Sequence, residues 1–149
     1  MTSGSPPPAR ALEIGCGLGL AGLFAARLGY QVTLADYDGD AIEFVKQTAR
    51  LNQLAVAVAQ LDWRQDPLER YPLILAADVL YEQRTHSPIR EFLRLALAPG
   101  GLAVLADPFR HVADAFLHDA PAAGWRVHVS PAHWDDRPGR IICLRRGER

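Results

Sequence analysis

Four groups of residues have types and spacings suited to chemistry. The first is Glu13, then Gly15, Gly17 and Gly19 at alternate positions, with Cys16 inside the run ALEIGCGLGL. Glycine permits backbone conformations and close approaches that a Cβ would block. A helix opening behind such a turn aims free N–H groups and the positive end of its dipole at whatever lies over it. A ligand carrying hydroxyls, a carboxylate or a phosphate suits that place. The second group is Asp36 with Tyr37, about 20 residues beyond the glycines, where an acid can accept from both hydroxyls of a ribose. The third is Asp62–Trp63, a carboxylate for the exocyclic amine of adenine and an aromatic face for its ring. The fourth is Asp78-Val79-Leu80-Tyr81, directly after an apolar run.

Each group also has a purely structural alternative. The glycines can serve a tight turn between strand and helix, and Asp36 can cap a helix. Trp63 can fill a core beside a turn aspartate, and Tyr81 can pack under the next helix with Asp78 capping it. Gly17, Gly19 and Gly22 spell G-x-G-x-x-G as well, so the glycine spacing alone leaves a dinucleotide open.

The elements that must position these groups alternate. Ala11, Leu12 and Ile14 fit a parallel strand buried on both faces, and 20–28 reads as a helix with Gly29 behind it. Residues 31–35 form a second strand. Asp40 with Glu43 resembles a capping box opening a helix to about Asn52. Strands follow at 55–60 and 71–77. Ser87–Pro88 predicts a helix start, with Ile89, Phe92, Leu93 and Ala96 on one face before Pro99, Gly100 and Gly101 stop it. A strand at 102–106, a turn at Asp107–Pro108 and a helix at about 112–123 come next. Strands at 125–130 and 140–145 close the chain as an antiparallel pair, with His133, Trp134, Asp135 and Asp136 in a solvated connecting loop.

The 149 residues are enough for one domain with one core. A leader at 1–9 rich in Ser, Gly and Pro is expected to be flexible, with the domain over 10–149. Net charge is −1, so no global field favours nucleic acid. Cys16 and Cys143 are the only cysteines and lack metal-ligand spacing, as do the five histidines, so no metal is expected. No apolar run approaches the roughly 20 residues of a membrane span, and a cytoplasmic location is expected.

Taken together, Glu13 with the glycine turn, Asp36, the Leu61-Asp62-Trp63 loop and D-V-L-Y resemble class I S-adenosylmethionine-dependent methyltransferases. More narrowly, the chain is similar to the small seven-strand protein-lysine methyltransferases, which carry Asp-x-x-Tyr after the fourth strand. The resemblance implies a three-layer α/β/α sandwich, Rossmann-like, around a mostly parallel sheet of order 3-2-1-4-5-7-6. It implies S-adenosyl-L-methionine held by Glu13, Gly15, Cys16, Gly17, Gly19, Asp36, Tyr37, Asp62, Trp63 and Ala77. Asp78 and Tyr81 would face the acceptor, a protein lysine. N-terminal elements that usually cover the cofactor are absent from this sequence, so a further segment or a partner is expected to close the site. Three rivals remain. A methyltransferase for a small molecule or nucleic acid shares the cofactor motifs, although N-P-P-Y is absent. A nicotinamide-dependent oxidoreductase shares the glycines but has no Tyr-x-x-x-Lys pair here. A truncated cofactor-binding domain without activity is the third.

Overall fold

A computed structural model describes residues 9–147; the leader expected at 1–9 lies almost wholly outside them. The elements are β1 (Arg10–Ile14), α1 (Leu20–Arg27), β2 (Gln31–Asp36), α2 (Gly39–Leu51), β3 (Ala57–Gln60), β4 (Tyr71–Ala77), α3 (Gln83–Ala96), β5 (Leu97–Asp107), α4 (Ala113–Asp119), β6 (Trp125–Trp134) and β7 (Arg137–Arg146). They build one sheet of seven strands in the order β3-β2-β1-β4-β5-β7-β6, the expected order. The first five strands pair in parallel, and β7 runs antiparallel to both β5 and β6.

Successive strand residues point to opposite faces, and each face is apolar. Leu12 and Ile14 of β1 pack with Ile89, Phe92 and Leu93 of α3 and with Phe116 of α4. Ala11 packs on the other side with Leu23 of α1 and Val45 and Ala49 of α2. This two-sided burial explains why the parallel strands read as unbroken apolar runs.

Chain order reverses beside β1, which lies between β2 and β4. Such a switch point opens a crevice at the carboxyl ends of the strands. Register then sets what lines it. Ile14 is level with Ala35 and Ala76, Asp36 with Gln60, Ala77 with Ala106, and Asp107 with Arg140. All four groups singled out in the sequence therefore emerge along one edge.

Several local expectations are corrected. α2 is capped by Asp38, whose carboxylate accepts from the Asp40 N–H at 2.9 Å, and Glu43 pairs with Lys46 instead of closing a capping box. β3 starts two residues late, at Ala57. α3 starts at Gln83, so Ser87–Pro88 lies inside it. Pro88 forfeits one backbone bond there, and the buried face around it, with His86 edge-on to Phe116 at 5.6 Å between ring centres and with Ile89, Phe92 and Leu93, holds the helix to the core. The segment Pro99 to Gly101 does not separate helix from strand but lies within β5 as an irregularity, with Gly100 at φ +73°. α4 ends at Asp119, because Pro121 cannot continue the ladder. The last hairpin has no long loop. β6 and β7 pair from Trp125↔Arg146 to Trp134↔Arg137, leaving Asp135–Asp136 as the turn, with Asp135 at φ +50°. Pro131 is tolerated on the sheet's edge strand, and Pro138 lies beyond the last residue of β7 that pairs with β5.

Candidate functional site

The glycine turn is held from below. Gly15, Gly17 and Gly19 all take positive φ, at +58°, +48° and +73°. A Cβ on Gly15 would press on Trp63 and Val79 at 3.1 Å, whereas one on Gly17 would meet nothing within 4 Å. Space above Gly17 is therefore open, and glycine is required there for backbone shape alone. α1 begins at Leu20 behind Gly19, which has no side chain to cap it. Glu13, buried in β1, fills the role: its Oε2 accepts from the Gly22 N–H at 2.8 Å. Burial pushes the Glu13 carboxyl up to about 7, against the lowering pull of the Gly22 and Ala21 amides. Cys16 donates its N–H to Ala35 and accepts from the Gly19 N–H, and burial beside Glu13 and Asp36 pushes its thiol up to about 12. Glu13 and Cys16 thus lie beneath the turn and shape it.

Asp36 ends β2 and is only 7% exposed. One carboxylate oxygen accepts from the Gly17 N–H at 2.9 Å and the other from the Asp38 N–H at 3.0 Å. Each oxygen keeps a second lone pair for a ligand hydroxyl.

Next to this turn is a cleft of about 260 Å³ lined by Tyr37, Asp62, Trp63, Tyr81, Arg84 and Thr85 among others. Tyr37 and Tyr81 are the exposed aromatics of its wall. Trp63 is half-buried, packed against the core and under Gly15. Asp62 is not free as expected. Its Oδ1 accepts from the Arg64 N–H at 2.9 Å, its carboxylate pairs with the Arg64 guanidinium, and that pairing holds its carboxyl below the usual range. Burial, then the nearby Glu82, pushes the Tyr81 phenol above its ordinary value, so it remains a hydrogen-bond donor at neutral pH.

Asp78 belongs to a different cleft. With Ala77 it lines a groove of about 430 Å³ whose other walls include Ala106, Asp107, His133, Pro138 and Ile141. Val79 and Leu80, both buried, separate Asp78 from Tyr81. Tyr81 thus lines the first cleft and Asp78 the second. Asp78 stands at φ +54°, donates its N–H to the Ala106 carbonyl at 2.8 Å, and binds Arg110 through both carboxylate oxygens at 2.5 and 2.7 Å.

Below lies a buried pair that sequence reasoning missed. Arg140 Nε donates to Asp107 Oδ2 at 2.7 Å, Nη1 to Asp114 at 2.8 Å, and Nη2 to the Arg110 carbonyl at 3.0 Å. No local signal marks Arg140, which reaches Asp107 only through the β5–β7 register.

A glycine turn pinned by an acid at the switch point of a 3-2-1-4-5-7-6 sheet defines the class I methyltransferase fold. The sequence model of one family, described as lysine methyltransferase, matches residues 3–118, and the chain belongs to that family. It is 31% identical over 138 residues to the protein N-lysine methyltransferase METTL21A of Danio rerio, covering 86% of this chain and 62% of that protein. The Mus musculus protein of the same name is 35% identical over 114 residues, covering 70% and 51%. The chain therefore spans about half to three-fifths of the length of these relatives. Ribosomal RNA small subunit methyltransferase C of Chromohalobacter salexigens is 33% identical over 119 residues, covering 76% of this chain and 34% of that protein. Among solved structures, the magnesium protoporphyrin IX methyltransferase of Synechocystis with bound SAM superposes with a TM-score of 0.78, at 18% identity, over 95% of this chain and 71% of that one.

Proposed function

We propose that this chain is the cofactor-binding and catalytic domain of an S-adenosylmethionine-dependent methyltransferase acting on a protein lysine. The observation that carries the reading is the single sheet edge on which the Asp36-pinned turn, the Tyr37–Tyr81 cleft and the Asp78 groove stand side by side. Family membership and the METTL21A relatives support it.

The residues fit the cofactor. Gly17 leaves room above the turn, Asp36 offers spare lone pairs to ribose hydroxyls, and the Tyr37–Trp63–Tyr81 cleft suits adenine. When bound, S-adenosylmethionine supplies a methyl group already activated by its sulfonium. What remains for the protein is alignment and exclusion of water, and alignment is worth about 7–11 kcal/mol. A lysine side chain would lie along the apolar wall of Ala77, Ala106, Pro138 and Ile141 with its ammonium at Asp78. The free amine has a pKa of about 10.4 and must lose a proton before it attacks. Desolvating the ammonium lowers that pKa while the Asp78 charge opposes the shift, and in this reading Asp78 orients the amine and takes the proton. A segment or partner that closes the site belongs to the same proposal. So does a cytoplasmic location, which the two free cysteines suit.

The test is calorimetric titration with S-adenosylhomocysteine, with NADH as control, followed by labelled methyl transfer in cell extract. Binding of the first ligand alone, with label in protein as methyl-lysine, is expected. NADH binding would overturn the cofactor assignment, and label in RNA would overturn the acceptor.

A further inference from the structure

The Asp78 carboxylate is held by a group of the chain itself. Arg110 grips it with Nε and Nη2 at 2.5 and 2.7 Å, the two-pronged geometry by which an arginine recognises a carboxylate. The backbone that delivers Arg110 is fixed. Its N–H donates to buried Asp107 at 3.1 Å, and its carbonyl accepts from Arg140 at 3.0 Å. Phe109 before it stands at φ +63° with the Arg140 guanidinium 4.8 Å from its ring centre. Asp78 on the facing strand end is likewise left-handed, at φ +54°. Two non-glycine residues in a disfavoured conformation thus bring opposite charges together at the mouth of the groove.

We infer that Arg110 is an internal stand-in for the acceptor's ammonium group: its guanidinium occupies Asp78 until a lysine side chain displaces it, so Arg110 sets the threshold an acceptor must pass. The inference rests on the reading of Asp78 as the acceptor carboxylate.

Exposure separates this pair from the one beneath it. The side chains of Arg110 and Asp78 are 43% and 47% exposed, those of Arg140 and Asp107 only 7% and 1%. An exposed pair is weak enough to exchange partners. A buried pair cannot, because removing one partner strands a charge out of water. Arg140 therefore anchors the loop and Arg110 is the displaceable member. The groove beside Asp78 has an apolar wall of Ala77, Ala106, Pro138 and Ile141; Arg137 and Arg140 also line it, Arg140 with its charge already taken by Asp107, and Arg110 is not among its lining residues. The guanidinium takes the carboxylate while leaving the path of an alkyl stem open. A lysine brings both an ammonium and a four-carbon stem, so it can outcompete a guanidinium that covers the charge alone.

The test titrates the whole chain with n-butylammonium, which reproduces the lysine stem and charge, followed by amide NMR shifts. Calorimetry with S-adenosylhomocysteine runs in parallel. Arg110→Met should bind butylammonium about fivefold more tightly than the wild type, the factor by which an exposed pair competes. Arg110→Lys, which keeps the charge without the fork, should fall between them. Adding Asp78→Asn to Arg110→Met should abolish the gain, with cofactor-product affinity unchanged throughout. Equal or weaker butylammonium binding by Arg110→Met, with S-adenosylhomocysteine binding intact, would overturn the inference alone. Failure of the wild-type chain to bind S-adenosylhomocysteine would overturn it together with the reading it rests on.

Discussion

The two halves of the sheet's carboxyl edge are built by opposite means. Over β1 and β2 the carboxylates are satisfied by backbone amides: Glu13 by Gly22, Asp36 by Gly17 and Asp38. Over β4, β5 and β7 guanidinium groups are the main partners, Arg110 for Asp78 and Arg140 for Asp107 and Asp114, although Asp107 also accepts from the Arg110 N–H. Backbone amides cannot swing away, so the first half is already shaped before a ligand arrives. The exposed Arg110 guanidinium can change partner whereas buried Arg140 holds its own in place, so in the second half only the Asp78 position can be rearranged by what binds there. A constant cofactor suits the first construction and a variable protein acceptor the second.

Substitutions can break this contrast. The largest expected effect is on the exchangeable side: Asp78→Ala should lower labelled methyl transfer by about 100-fold or more, the scale of losing a proton acceptor, while S-adenosylhomocysteine affinity measured by calorimetry stays unchanged. Transfer at the wild-type rate would remove Asp78 from the acceptor site. On the fixed side, Gly22→Ala would place a Cβ 2.2 Å from Leu34 and 2.6 Å from Glu13. Overpacking of this kind costs about 1–3 kcal/mol, read as a fall of about 3–10 °C in Tm.

Protonation sharpens the same contrast. Burial pushes the Glu13 carboxyl up to about 7 in the folded chain, against an ordinary value of 4.5. Between those values the folded state binds more protons than the unfolded, so the Glu13 contribution is complete below about pH 4.5 and is lost as pH rises through about 7. Glu13→Gln should gain on the wild type by at most about 3 kcal/mol across that window, measured by urea unfolding at each pH. Parallel stability curves would show that Glu13 does not titrate there. The smallest effect concerns the thiols. With its pKa pushed up to about 12, Cys16 should resist iodoacetamide in the folded chain at pH 8 while Cys143 reacts, as mass spectrometry would show. Equal rates would mean that the turn opens readily.

The fixed half was legible in the sequence because its constraints are local. Three positive-φ glycines and an acid at the end of the following strand are features of one β–α–β unit. The alternation of apolar runs with amphipathic helices made the layered α/β class legible, whereas the strand order came from the family resemblance. The exchangeable half was not legible. Arg110 lies 32 residues beyond Asp78 and meets it only because Ala77 is level with Ala106. The Asp62–Arg64 contact was within reach, since an aspartate commonly accepts from the amide two residues on. Proline as a boundary predicts neither the α3 start nor the length of the final hairpin. His86 burial and cross-strand pairing decided those positions instead.

Val79 and Leu80, buried between the two clefts, also act as a spacer of fixed length. A single molecule carrying an aromatic ring for the Tyr37–Tyr81 cleft and an ammonium for Asp78 would have the separation of its two ends dictated by this short stretch of strand end. Its avidity would then depend on tether length: absent while the tether falls short of the gap between the clefts, greatest when it just spans that gap, and declining as slack dilutes the effective concentration of the second end.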